Sequence, residues 1–170
     1  MGTRSRIGVM HGDVLKSVYC HWDGYLEHNG RILLEHYDSA KANHLVALGD
    51  ISSLDVNVAI PEGVEHSFDN SAKGITTFYG RDRGETGVDW VSHHDFKSFL
   101  EHCDNCGAEY YYIMKDGVWY CGDTYDSSPI SGKLVPLAVA LADEDIEQNE
   151  QNYMSADLSD MPVITDKIAV

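Results

Sequence analysis

The sequence is short of positive charge. Its 170 residues hold 12 Lys and Arg against 28 Asp and Glu, a formal net charge of −16. The shortage is uneven: residues 1–85 carry 8 basic and 12 acidic residues, whereas residues 86–170 carry 4 and 16. Direct nucleic-acid binding needs clustered cations to neutralise phosphates. The second half offers only Lys97, Lys115, Lys133 and Lys167, so no direct nucleic-acid partner is expected. Anionic lipid repels such a surface, and no apolar run reaches the ~18 residues of a membrane span. The N-terminal arginines are followed by no apolar signal core, and Arg6 stands where a myristoylation site needs Ser or Thr. A cytoplasmic protein is expected, with no membrane partner. Its four cysteines are then thiols or ligands, not disulfides. Also missing are a P-loop, a Gly-x-Ser-x-Gly elbow and a His-Glu-x-x-His pair. No catalytic residue is assigned.

What is present is globular. Apolar residues make up 43% and charged residues 24%, and 170 residues can bury a core without disulfides or metal. A single domain over residues 1–140 is expected. Residues 141–170, with 8 acids and one lysine, read as a short helix and then a mobile acidic tail.

Two hairpins are legible. Ser5–Met10 and Val14–Trp22 flank His11-Gly12-Asp13, and alternation puts Val18, Cys20 and Trp22 on one apolar face. Tyr110–Met114 and Val118–Cys121 flank Asp116-Gly117, a two-residue loop that sets Met114 opposite Trp119 and Tyr112 opposite Cys121. Helical spacing predicts a segment around Ile32–Tyr37, capped at Asn29. A second helix starts at Asp38-Ser39 and stops at Gly49. Val56, Val58 and Ile60 alternate with polar residues, as in a half-buried strand, and Ile75–Gly80 is a second strand candidate. Ser92 and Asp95 resemble a capping box for a helix through about His102. The pattern predicts an α+β fold: a mainly antiparallel sheet of hairpins packed with two to four short helices.

The Met1-Gly2-Thr3-Arg4-Ser5 start and His21-Trp22-Asp23-Gly24-Tyr25 resemble a family of small, mostly uncharacterised bacteriophage and bacterial proteins. Gly49–Leu54 and Thr77–Glu85 resemble its phage members. The likeness covers roughly the first two-thirds of the chain. It implies a phage or prophage origin, hence the host cytoplasm, and supplies no catalytic residues.

Three candidate sites stand beside plainer readings. Cys103-x-x-Cys106 is half of a zinc site, to be completed by Cys20, His21 or His102; the plainer reading is two thiols in an Asp-Asn-Gly turn. His21, Asp23, Arg81 and Arg83 are candidates for a metal or nucleotide pocket, since arginine forks match phosphate. Against that, Arg81 and Arg83 have carboxylates nearby to pair with. Tyr110, Tyr112 and Trp119 are candidate interface aromatics. Trp22 is expected in the core and Asp23 in a turn. Two functions follow. One is a phage accessory protein that binds a host protein, for takeover or anti-defence, with acidic mimicry as one form of it. The alternative is a small enzyme or ligand-binding protein.

Overall fold

In the computed structural model, which describes residues 2–155, the fold is α+β. An eight-stranded mixed sheet, mostly antiparallel, is packed with five helices. β1 (Ser5–His11) and β2 (Val14–Cys20) form the first hairpin, with Gly12 at φ 59° in its turn. A π-helical turn, Leu26–Gly30, runs into α1 (Arg31–His36), and α2 (Ser39–Ala47) follows. Then come β3 (Ile51–Ser53), β4 (Thr77–Phe78), α3 (Tyr79–Arg83), β5 (Val91–His93) and α4 (Phe96–Cys106). The second hairpin is β6 (Tyr110–Lys115) and β7 (Val118–Asp123); β8 (Val135–Pro136) and α5 (Leu137–Ser155) complete the order. Among the described residues, no helix is long and apolar enough to cross a membrane.

The strand order is β4-β3-β2-β1-β6-β7-β8, with β5 also on β2. The two hairpins are joined by parallel pairing of β1 with β6, Ser5 opposite Tyr110 through Val9 opposite Met114. The second hairpin has the register its loop length dictates, with Met114 opposite Trp119 and Tyr112 opposite Cys121.

The sheet is covered on both faces. Ile7, Val9, Val18, Cys20, Ile51, Phe78, Tyr112, Met114, Trp119 and Cys121 form one core face under α1, α2 and α5. Leu15, Tyr111 and Ile113 form a smaller one with Phe99, Cys103 and Ala108. Two-sided cover changes the fate of the aromatic hairpin. Tyr112 is fully buried and its hydroxyl donates to Gly24 O; Trp119 is 4% exposed and its indole donates to Tyr37 O at 2.9 Å. Neither is an interface residue. Tyr110, half-buried, packs edge-on to Tyr125 at 5.7 Å.

Several sequence expectations are corrected. Residues 56–60 are not a strand, although Val58 is buried. Side chains take the carbonyls a ladder would use: Tyr37 and Thr76 on Asp55, Lys41 on Val56, Arg81 on Val58. The strand lies earlier, at β3. Asp38 does cap α2, accepting from Lys41 N at 2.9 Å. Asn29 is no cap: it is buried, and its amide donates to Ser5 Oγ, Cys20 Sγ and Trp22 O. Ser92 lies in β5, and Asp95 is the true cap of α4, accepting from Ser98 N at 2.7 Å. Residue 140 is no boundary, because α5 runs through it. Leu137 and Leu141 are buried, and Asp145 meets Arg31 at 2.9 Å. The rest of the expected tail, residues 156–170, lies outside the described residues.

Trp22 is also corrected: it is 43% exposed. The strand ends at Cys20, and the alternation that would bury Trp22 ends with it. Trp119→Ala should therefore cost about 3–5 kcal/mol, whereas Trp22→Ala should cost less than about 1 kcal/mol. Urea unfolding of both variants checks the contrast.

Candidate functional site

Residues 2–5, 21–25, 49–54 and 77–85 meet at one end of the sheet. Gly24 N donates to Thr3 O at 2.8 Å, and a Cβ on Gly2 would lie 2.6 Å from the Trp22 ring. His21 N and Trp22 N donate to Ile51 O and Ser52 O, each at 3.0 Å. Ile51 pairs with Phe78, and Tyr79 N donates to Asp50 O at 3.2 Å. Asp23 turns the chain at φ 55°, a left-handed conformation that Asp tolerates better than most residues. These contacts hold a surface corner of aromatic and polar side chains. Trp22 and Tyr25 are 43% and 40% exposed. The His21 ring meets Trp22 edge-on at 4.7 Å.

Tyr19 and His21 are bonded to each other, hydroxyl to Nδ1, at 2.7 Å. Burial, and then the Arg4 cation, lower the His21 pKa, so the ring is neutral at pH 7. Burial pushes the Tyr19 phenol up to about 12, against the pull of Arg4, so it keeps its proton. With Tyr19 donating, His21 carries its own proton on Nε2.

The expected partners of His21 and Asp23 are engaged elsewhere. Arg81 bonds Asp82 at 2.9 Å and the carbonyls of Val58 and Thr76. Burial raises the Asp82 carboxyl, but bonds from Arg81, Phe78 N and His66 outweigh it and hold the pKa below the ordinary value. Arg83 pairs with Glu85 at 3.7 Å and lies over the rings of Phe68 and Tyr79. The ion-pair reading therefore describes both arginines, which lie in the helix α3 and not in a loop.

Cys103 and Cys106 are in the last turn of α4, not in a loop. Cys103 is buried among Phe99 and Tyr111, whereas Cys106 is half-exposed, with Arg6 Nη1 at 3.8 Å from its sulfur. Of the residues named to complete a zinc site, Cys20 belongs to the opposite core face. Among the described residues, no group of three or more His, Cys, Asp or Glu is placed to hold a metal ion. A guanidinium at the Cys106 sulfur also opposes a cation there.

Sequence reasoning missed a buried polar chain beneath α4. Arg6 is 2% exposed. Its Nε donates to Ser17 Oγ at 3.0 Å and its Nη2 to Ser17 O at 3.1 Å. Ser17 Oγ lies 2.9 Å from His93 Nε2, and His93 stacks edge-on against Phe99 and His102. Arg6 and Ser17 sit in one strand pair, two positions from Gly8 and Tyr19 respectively, so alternation alone identified their shared face. Nothing local marked it as covered, because β5 and α4 supply the cover. His93 lines a cavity of about 210 Å³ with Met10, Leu15, Phe96, Ile113 and Leu134, but Ser17 does not reach it. A Ser–His pair without access for a substrate is structural.

No family model, no curated protein and no solved structure matches the chain.

Two outcomes follow from this geometry. Burial, then Arg6 and His102, depress the His93 pKa from 6.5 to about 4. A depressed histidine stabilises the fold where it is neutral in both states, and that stability is lost as the pH falls through 6.5 toward 4. His93 should contribute about 3 kcal/mol of this loss. His93→Gln should flatten the fall of Tm across that window. Separately, iodoacetamide on the native protein should label Cys106 well before Cys20, Cys103 and Cys121, which are buried. Peptide mass spectrometry reads the order.

Proposed function

We propose that the protein is a phage-encoded accessory protein that acts by binding a host protein, with the corner at Trp22 and Tyr25 as its docking face. The observation that carries this reading is that the aromatic pair is exposed while the backbone around it is extensively bonded. Flexible loops explain exposed aromatics in many proteins, but here Thr3, Ile51 and Ser52 each contribute a backbone bond to the corner. Rigid, exposed Trp and Tyr lose little entropy on association and dominate interface energetics. A net charge of −16 favours a partner with a basic surface and speeds encounter with it. A host protein that normally contacts nucleic acid has such a surface, which is how acidic mimicry would operate.

The enzyme alternative has less support. His21 and Asp23 would need Arg81 and Arg83 beside them, and those cations are held by Asp82 and Glu85.

A photo-crosslinking residue at Trp22 should capture one host protein reproducibly, and the same residue at Val118, exposed on the second hairpin, should not. Trp22→Ala with Tyr25→Ala should weaken that complex at least 100-fold, as loss of two hot-spot residues does, with the Tm within a few degrees of the parent. Equal capture from both positions would refute the docking face.

A further inference from the structure

We infer that Arg4 and His21, seated above Arg6, form a binding site for the phosphoryl group of a small molecule. The chain has five arginines. Arg31 pairs with Glu27 and Asp145, Arg81 with Asp82, and Arg83 with Glu85. Among the described residues, Arg4 and Arg6 have no carboxylate at ion-pair distance. Arg6 bonds only neutral acceptors, two on Ser17 and the Cys106 sulfur. Arg4 is further from satisfaction: its Nε is buried with no acceptor among the described residues. Leaving a guanidinium donor buried and unbonded is costly, so Arg4 is held short of its full set of bonds.

Ser5 alone separates the two arginines in sequence. Both reach the last turn of α4. Arg6 Nη1 lies at the Cys106 sulfur, and Arg4 Nη1 lies 3.0 Å from where a Cβ on Gly107 would stand. A helix C-terminus carries about half a negative charge, which offsets only a fraction of two full cations. Two carboxylates lie in the neighbourhood. Glu109 accepts the backbone N–H of Arg4 at 3.1 Å, and Asp50 accepts that of Tyr19 at 2.9 Å. Neither bonds a guanidinium. Burial raises the Asp50 carboxyl against the Tyr19 N–H bond and the pull of Arg6.

Arg4, Tyr19 and His21 are all partly exposed. Ser5 pairs with Cys20, which sets Arg4 and His21 next to each other at the end of the hairpin, and Tyr19 bonds His21 at 2.7 Å. A ligand here meets the Arg4 fork and the His21 Nε2–H, over the Arg6 charge. Three donors of this kind suit a dianion with three acceptor oxygens better than a carboxylate. Trp22, edge-on to His21, is within reach of whatever the phosphoryl group carries.

The test titrates the full chain with inorganic phosphate, and in parallel with adenosine monophosphate, at constant ionic strength set with chloride. Trp fluorescence, Tm and the ring-proton shifts of His21 are followed. Saturable binding is expected, with the folding equilibrium shifted about 100-fold at 100 times Kd. Arg4→Gln should weaken it at least tenfold, and Arg83→Gln should leave it unchanged. Tighter binding of the monophosphate with quenching of Trp22 identifies a nucleotide-like ligand. Equal binding of both identifies the phosphoryl group alone. The inference is overturned if phosphate does no more than chloride, or if Arg4→Gln binds as well as the parent. If Arg4→Gln fails to fold, the His21 shifts of the parent protein decide: no movement on adding phosphate also overturns it. The outcome is independent of partner capture at Trp22.

Discussion

The parallel pairing of β1 with β6 is the constraint on which the rest depends. It joins residues 5–9 to residues 110–114, across a loop of about a hundred residues whose closure entropy must be met before the contact forms. It makes one sheet of two hairpins, and it places β1 centrally, with every residue from Ser5 to Val9 buried. A central strand has two covered faces, so its polar residues must find partners inside. Arg6 is the extreme case, and its bonds to Ser17, together with Ser17's bond to His93, are how a charged side chain is accommodated mid-sheet.

The same pairing sorts the aromatics. Along β6, Tyr110 and Tyr112 point to the larger core face and Tyr111 to the smaller, where α4 lays Phe96 and Phe99 against it. Had the hairpin stood at an edge with one face open, some of these rings would have been exposed. With α5 and α2 on one side and α4 on the other, none of the central rings is. The exposed rings lie off these strands: Trp22 and Tyr25 where β2 stops, Trp90 before β5 and Tyr125 after β7.

The end where β2 stops is also where electrostatics and geometry coincide. The net charge is strongly negative, yet among the described residues Arg4 and Arg6 have no carboxylate partner, and their field depresses the His21 and His93 pKa values in addition to burial. The anion site and the docking face proposed above therefore adjoin.

Local chemistry determined much by itself. Both hairpins, the loop and register of the second, the Asp38 cap and the α+β class were legible, because two-residue loops, N-caps and alternation act over a few residues. So was the self-pairing of the Arg81–Arg83 stretch, where acids lie next to the cations in sequence. The tertiary structure alone decided the rest. Whether Val56–Ile60 became a strand depended on side chains of Tyr37, Lys41, Thr76 and Arg81 reaching its carbonyls. Whether Tyr112 and Trp119 faced solvent depended on helices from residues 31–47 and 137–155 covering them. Whether an arginine was paired depended on which carboxylates folded near it: Arg4 and Arg6 carry no sequence mark that separates them from Arg81 and Arg83. Burial and pairing are properties of neighbours brought from far along the chain, and no local pattern contains them.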